Sequence, residues 1–193
     1  LHAQTTIPTA NDILKRAVLD ASDQNKKVLL MFHASWCGWC HKMDSSLNDI
    51  SCKKFFDDNF VITHVTVLES KGKENLENPG GLEMMLKYNG KDQGLPYWVV
   101  LDKNAKLLFD SQERTTQPDG TVKGANIGCP ASQKEVDKFI EILKNSKSSG
   151  SFFKSGEEVE SLRNKRVNYI VMDGRAHRTE EDKDSPYSFV NGN

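Results

Sequence analysis

The chain of 193 residues fits one domain, or one domain with appendages. Its 26 basic and 27 acidic side chains leave a net charge of −1, which removes the electrostatic case for a nucleic acid or an anionic membrane surface as partner. Leu, Ile, Val and Phe make up 46 residues, enough for a packed core, while apolar runs reach only five residues, at Val28–Phe32 and Tyr97–Leu101. A membrane-spanning helix needs about 20.

Thr9 stands three positions before Asp12, the spacing of a capping box, and Ile13, Leu14, Ala17, Val18 and Ala21 then share one helical face. A helix over 11–25 follows. Val28 to His33 reads as a buried strand. A helix opening at Cys37 carries Met43, Leu47 and Ile50, and Asp57-Asp58-Asn59 interrupts the pattern before a second strand, Phe60 to Leu68. Residues 69–81 are polar and bear Gly and Pro, so they form a loop. Gly81 to Tyr88 is a short helix with Leu82, Met85 and Leu86 on one side. Tyr97 to Leu101 is a third strand, and a turn at Asp102–Ala105 leads to a fourth, Lys106 to Phe109, making an antiparallel hairpin.

The stretch 111–127 is rich in Gln, Thr and Gly and reads as an irregular loop. Val136, Phe139, Ile140 and Leu143 recur at helical spacing and predict a helix over 131–146. A Ser/Gly/Lys linker comes next, then a helix near 155–167 and a segment, 173–184, in which eight of twelve residues are charged and which reads as a solvated tail. The expected division is an N-terminal arm over 1–8, one domain over 9–146 and an extension over 147–193. Leu1-His2-Ala3 has the character of the last residues of a secretory signal, or is an arbitrary start.

Four cysteines are too few for a disulfide-dense scaffold. Cys37 and Cys40 form a single Cys-x-x-Cys, which is either half a zinc site or a redox pair. A structural zinc site takes four ligands, and no second pair exists, so no metal is expected. The redox reading has a physical basis. Cys37 falls at a helix N-terminus, where free amides and the helix dipole stabilise a thiolate. Cys40 follows one turn later, within reach to close a disulfide ring. Gly38 leaves room for a substrate backbone, and Trp36 offers an apolar shoulder. The strands 28–33 and 60–68 should be parallel, joined by a right-handed crossover, which puts the pair at the carboxyl end of a central strand.

Trp36-Cys37-Gly38-Trp39-Cys40 after one strand, and Gly94-Leu95-Pro96 before another, resemble the thioredoxin superfamily. The run through His41, Lys42 and Met43 is similar to secreted bacterial thioredoxin-like disulfide reductases and isomerases. The resemblance covers about 10–146. It implies an α/β thioredoxin fold: a central mixed sheet with helices on both faces, here with a C-terminal extension. It implies Cys37 and Cys40 as catalytic residues, and a substrate groove bordered by Trp36, Gly38, Trp39, Leu95 and Pro96. Pro96 would be cis and expose the Leu95 backbone to an extended substrate; a trans proline opening a strand is the alternative.

The chain departs from the family where many members carry a buried Asp, six residues before the first cysteine; here Met31 stands there. His64 aligns with a Lys that often partners that Asp. It is either a replacement proton acceptor or a histidine satisfied by local hydrogen bonds. His41, four residues after Cys37, either favours the thiolate when protonated or is a surface histidine. Cys129, before Pro130, should lie at the rim of the groove. It should be remote from Cys52, which a straight helix would carry about 18 Å from the active end, so no Cys52–Cys129 disulfide is expected.

The reading is a thiol–disulfide oxidoreductase with no bound cofactor. It acts on protein disulfides in the reductase or isomerase direction, is exported to a periplasmic or extracellular setting, and is regenerated by another thiol protein. The alternatives are a peptide-binding module without turnover and a metal-binding protein using Cys37, Cys40 and His41.

Overall fold

The computed structural model describes residues 7–146. The expected arm and C-terminal extension, with the helix near 155–167 and the charged segment, lie outside the described residues, apart from Ile7 and Pro8. Helix α1, Ala10–Asp23, opens on the predicted capping box: the Asp12 amide donates to Thr9 Oγ1 at 3.1 Å. It is followed by strand β1, Lys27–His33, and helix α2, Gly38–Leu47. Helix α3 is Ile50–Asn59, and strand β2 is Phe60–Thr66. Helix α4, Gly81–Lys87, precedes strands β3, Tyr97–Leu101, and β4, Leu107–Asp110. Strands β5, Gln112–Thr116, and β6, Val122–Asn126, lead to helix α5, Gln133–Asn145.

Four strands form one sheet in the order β2-β1-β3-β4. β1 runs parallel to β2 and antiparallel to β3, which is antiparallel to β4. Side chains of a strand alternate between faces, and the two faces of β1 feed two cores. Val28, Leu30 and Phe32 pack with Leu14, Ala17 and Ala21 of α1 and with Met84 and Met85 of α4. Leu29 and Met31 pack, together with Trp98 and Val100, under α2, α3 and α5. The expected mixed sheet with helices on both faces is what forms. Among the described residues, no helix is long and apolar enough to cross a membrane.

Four expectations need correction. The helix from Cys37 does not run on through Ile50. Asn48 caps α2, its side-chain amide donating to the Asp44 carbonyl at 3.0 Å, and the Asp49 carbonyl then accepts from Cys52 and Lys53 to start α3. Ile50 is left 94% exposed. Asp57 and Asp58, read as a break, are helical, each paired with a lysine one turn earlier, Lys53 and Lys54. Residues 111–127 are not irregular: β5 and β6 form a two-stranded antiparallel ribbon. Its root is tied down by Asp110, a buried carboxylate that accepts from Arg114 and Asn89. Burial opposes the ionisation of Asp110, but those hydrogen bonds outweigh it and hold the carboxyl below its ordinary value. In α4 it is Met84 and Met85 that are buried, while Leu82 and Leu86 stay exposed.

Helix α4 ends in a Schellman motif. Asn89 is left-handed at φ 68°, its amide donates to the Leu86 carbonyl, and the Gly90 amide donates to Met85 at 2.8 Å. A Cβ on Gly90 would fall 2.8 Å from that same Met85 carbonyl oxygen and 3.0 Å from the Tyr97 ring. Gly90→Ala is therefore expected to lower stability by about 1–3 kcal/mol, measured by urea unfolding; a midpoint equal to wild type would contradict this packing.

Candidate active site

The end of β1 delivers the cysteine pair. The Cys37 amide donates to the Ala34 carbonyl at 3.0 Å, closing a turn between strand and helix. Cys37 is the N-cap of α2, and its Sγ accepts from the Cys40 amide at 3.2 Å. The two sulfurs are joined, with Cα atoms 5.3 Å apart. Cys40 is 0% exposed and Cys37 3%, so the bond is approachable from the Cys37 side alone. Ala34 and Leu95 complete the contacts around it.

Trp36 and Trp39 stand out beside the pair, 56% and 45% exposed. The Lys42 ammonium lies 4.4 Å from the Trp39 ring centroid. The Trp36 indole donates to the Leu68 carbonyl at 2.8 Å. The next residue, Glu69, accepts from the Ser35 amide at 2.6 Å and the Ser35 hydroxyl at 2.8 Å. That amide is the main cause holding the Glu69 carboxyl below its ordinary value. The segment after β2 thus clamps the two residues before Cys37. Glu69 gave no signal in the sequence, because the contact spans 34 positions of a polar loop. At Gly38 a Cβ would meet nothing within 4 Å, so any need for glycine there lies with a partner.

The Leu95–Pro96 bond is cis. Pro96 is buried, and Leu95 packs against Ala34, Cys37 and Cys40. The turn bearing Gly128, at φ 54°, lies beside Pro96: a Cβ on Gly128 would be 3.7 Å from the Pro96 carbonyl oxygen. Cys129 itself turns into an apolar pocket between α2, α3 and α5, lined also by Met43, Leu47 and Cys52. The expected remoteness of the two thiols is thus wrong, although no disulfide joins them. The straight-helix distance failed because the chain turns at Asn48–Asp49. Burial pushes the Cys129 thiol up to about 11.

Met31 is fully buried where the family often has a carboxylate. Its neighbour across the parallel ladder is His64, whose Nε2 donates to Asp44 Oδ1 at 2.8 Å. The two side chains are each 32% exposed. Asp44 lies one turn after Cys40 on α2, a spacing the sequence displayed and the motif reading passed over. The His33 ring, for which the sequence suggested no part, stacks edge-on against His64 at 5.2 Å and hydrogen-bonds the Thr66 hydroxyl at 3.1 Å. His41 is exposed, its Nε2 3.1 Å from the Ser35 carbonyl oxygen. Among the described residues, no group of three or more His, Cys, Asp or Glu is arranged to hold a metal ion.

The model of a thioredoxin-like domain matches residues 14–113. Among solved structures, the chain is similar to a disulphide isomerase from Xylella fastidiosa Temecula1, at 22% identity over 57% of this chain and 78% of that one, with a TM-score of 0.44. The C-terminal domain of Neisseria meningitidis DsbD in its oxidised form matches at 18% identity over 73% and 99%, with a TM-score of 0.43. The germline-specific thioredoxin Deadhead of Drosophila melanogaster matches at 26% over 55% and 84%, with a TM-score of 0.36. No curated protein sequence matches the chain.

Burial, and after it the neighbouring His64, holds His33 below its ordinary value of 6.5, with His41 acting the same way and Asp44 and Glu69 opposing. The unfolded chain therefore binds the His33 proton more readily than the fold does. The stability this contributes is full above the ordinary value and is lost as pH falls through it. Urea midpoints should drop between about pH 7.5 and about pH 5, and His33→Gln should reduce that drop. An identical drop in the variant would exclude His33 as its source.

Proposed function

The chain belongs to the thioredoxin superfamily, and from that premise we propose that it is a thiol–disulfide oxidoreductase acting on protein disulfides, with Cys37 as the attacking thiol and Cys40 as the resolving one. The observation that carries this is the asymmetry of the pair. Cys37 is the helix N-cap, its sulfur already accepts a backbone N–H, and it alone keeps any exposure. A thiolate on Cys37 inherits that hydrogen bond and the positive end of α2. Cys40, inside the first turn and wholly buried, is reached by a substrate only through Cys37.

The Cys37 thiolate attacks one sulfur of a substrate disulfide, forming a mixed disulfide and expelling the other sulfur as a thiolate, which takes a proton from solvent. Cys40 gives up its proton and attacks the Cys37 sulfur. The second substrate thiol leaves, and the Cys37–Cys40 disulfide seen here remains. If a different cysteine thiolate of the substrate attacks the mixed disulfide first, a new substrate disulfide forms, Cys37 leaves as a thiolate, and the outcome is isomerisation. The two electrons reside in the cysteine pair, so the reaction calls for no bound cofactor, and a thiol protein restores the dithiol. We assign the working direction to reduction or isomerisation, in an exported setting, where protein disulfides are available as substrates.

Trp36, Trp39 and Leu95 supply the apolar border of the groove, and the backbone before Pro96 pairs with an extended substrate segment. Gly38 allows that segment close approach. His41, which contacts the Ser35 carbonyl, and His64, paired with Asp44 of α2, act as modulators.

Insulin reduction tests the activity. Wild type should reduce insulin with a thiol donor; Cys37→Ser should fall to the uncatalysed rate, and Cys40→Ser should accumulate a mixed disulfide. Brief iodoacetamide treatment of reduced protein near neutral pH should label Cys37 first. Cys129 should be spared, because with its thiol at about 11 only about 10⁻⁴ of it is ionised at pH 7. Preferential labelling of Cys40 would reverse the assignment of the two thiols.

A further inference from the structure

Asn126, the last residue of β6, makes four hydrogen bonds with one carboxamide. Its Nδ2 donates to the Gly94 carbonyl at 2.7 Å and to the Pro96 carbonyl at 2.9 Å. Its Oδ1 accepts from the Ser111 hydroxyl at 2.7 Å and from the Gly128 amide at 3.0 Å. Two N–H donors and two oxygen lone pairs are all a carboxamide possesses, so every one is used. The partners also fix its orientation: flipped, the amide oxygen would face two carbonyl oxygens.

The two carbonyls that Asn126 grips flank Leu95, the residue that packs on Cys37 and Cys40. Neither the amide nor the carbonyl of Leu95 has a hydrogen-bond partner among the described residues. Other groups brace the same junction. Ser111 is fully buried and exchanges hydrogen bonds with the Trp98 backbone, and the Trp98 indole donates to the Gly128 carbonyl at 2.8 Å. Asn126 therefore links the root of the β5–β6 ribbon, the turn before α5 and the cis-proline loop.

We infer that Asn126 is a positioning residue for the protein substrate: by fixing the carbonyls on both sides of Leu95, it holds the unpaired Leu95 backbone as a rigid edge for an extended, disulfide-bearing segment. The inference rests on the proposed function. It assigns Asn126 no part in sulfur exchange itself, because its hydrogen bonds end on the loop and not on the cysteine pair. A preorganised edge spares the substrate the cost of ordering the loop on binding. Loss of Asn126 should thus appear in binding and leave the redox equilibrium alone.

Asn126→Asp in the full chain is the test, since it keeps the size and the oxygen that accepts from Ser111 and Gly128 and replaces the nitrogen that donates to Gly94 and Pro96. The KM for insulin should rise about tenfold with kcat little changed, as expected for losing hydrogen bonds worth about 1.4 kcal/mol. The equilibrium of the Cys37–Cys40 pair with glutathione, which does not need the groove, should stay within about twofold of wild type. Asn126→Ala, read the same way, covers the case in which the aspartate disrupts folding. Unchanged insulin kinetics overturn the inference. So does a glutathione equilibrium that shifts along with KM, or a failure of both variants to fold, since Asn126 would then be a general structural residue. A wild type inert toward insulin ends the functional reading and this inference together; an active wild type matched by Asn126→Asp ends the inference alone.

Discussion

Strand β1 is enclosed on every side, and the rest of the structure follows from that. β2 and β3 occupy its two edges, and two separate cores cover its faces, leaving all of Val28–Phe32 at 0% exposure. A strand so placed has no freedom of register, because a slip of one residue would exchange the contents of the two cores. Its parallel partner β2 requires a crossover, and the crossover must begin where β1 emerges. The turn Ala34–Cys37 and helix α2 are that beginning. The cysteine pair is therefore fixed at the rim of a strand covered on both faces and paired on both edges.

Position also governs which charged groups can stand near the pair. An ionised side chain in the middle of such a sheet carries a large desolvation penalty unless it is paired. At Met31 this chain fills the position with an apolar side chain. Its ionisable groups sit farther out, at the open edge, where His64 and Asp44 pair and keep about a third of their surface in water. Burial shifts His33 beside them toward its neutral form. The interior under the dithiol is thus committed to packing, and the ionisable side chains are kept at the edge.

The four strands of the main sheet, the parallel crossover, the capping box of α1 and the cysteine pair were legible because each rests on residues close in the sequence. Thr9 with Asp12, and alternation or helical spacing over a few turns, are local patterns; the equally local box of Ser132 with Glu135 at α5 went unread. The break at Asn48–Asp49 was hidden because Leu47 and Ile50 keep a helical spacing, although only Leu47 is buried. The β5–β6 ribbon was hidden because its strands are polar and nearly free of apolar alternation. It is held by its own ladder and by Asp110, Arg114 and Asn89, which bind across 4 and 21 positions. The same reason conceals Glu69 and Asn126. Asparagine and glutamate in polar stretches look alike whether they face water or grip a carbonyl or an amide more than 30 residues away.

The site therefore has two layers with different origins. The chemistry of the dithiol is local: a helix N-cap, one backbone amide on a sulfur, and a partner cysteine one turn on. The surroundings are assembled from afar: Leu68 and Glu69 grip Trp36 and Ser35, and Asn126 grips the residues on both sides of Leu95. A Cys-x-x-Cys helix can be kept unchanged while the distant grips vary, since neither grip touches a sulfur. Sulfur exchange and substrate choice are then separable. Under the proposed function, the motif defines what reaction is possible, and the loop after β2 and the end of β6 shape the edge that a polypeptide substrate would meet.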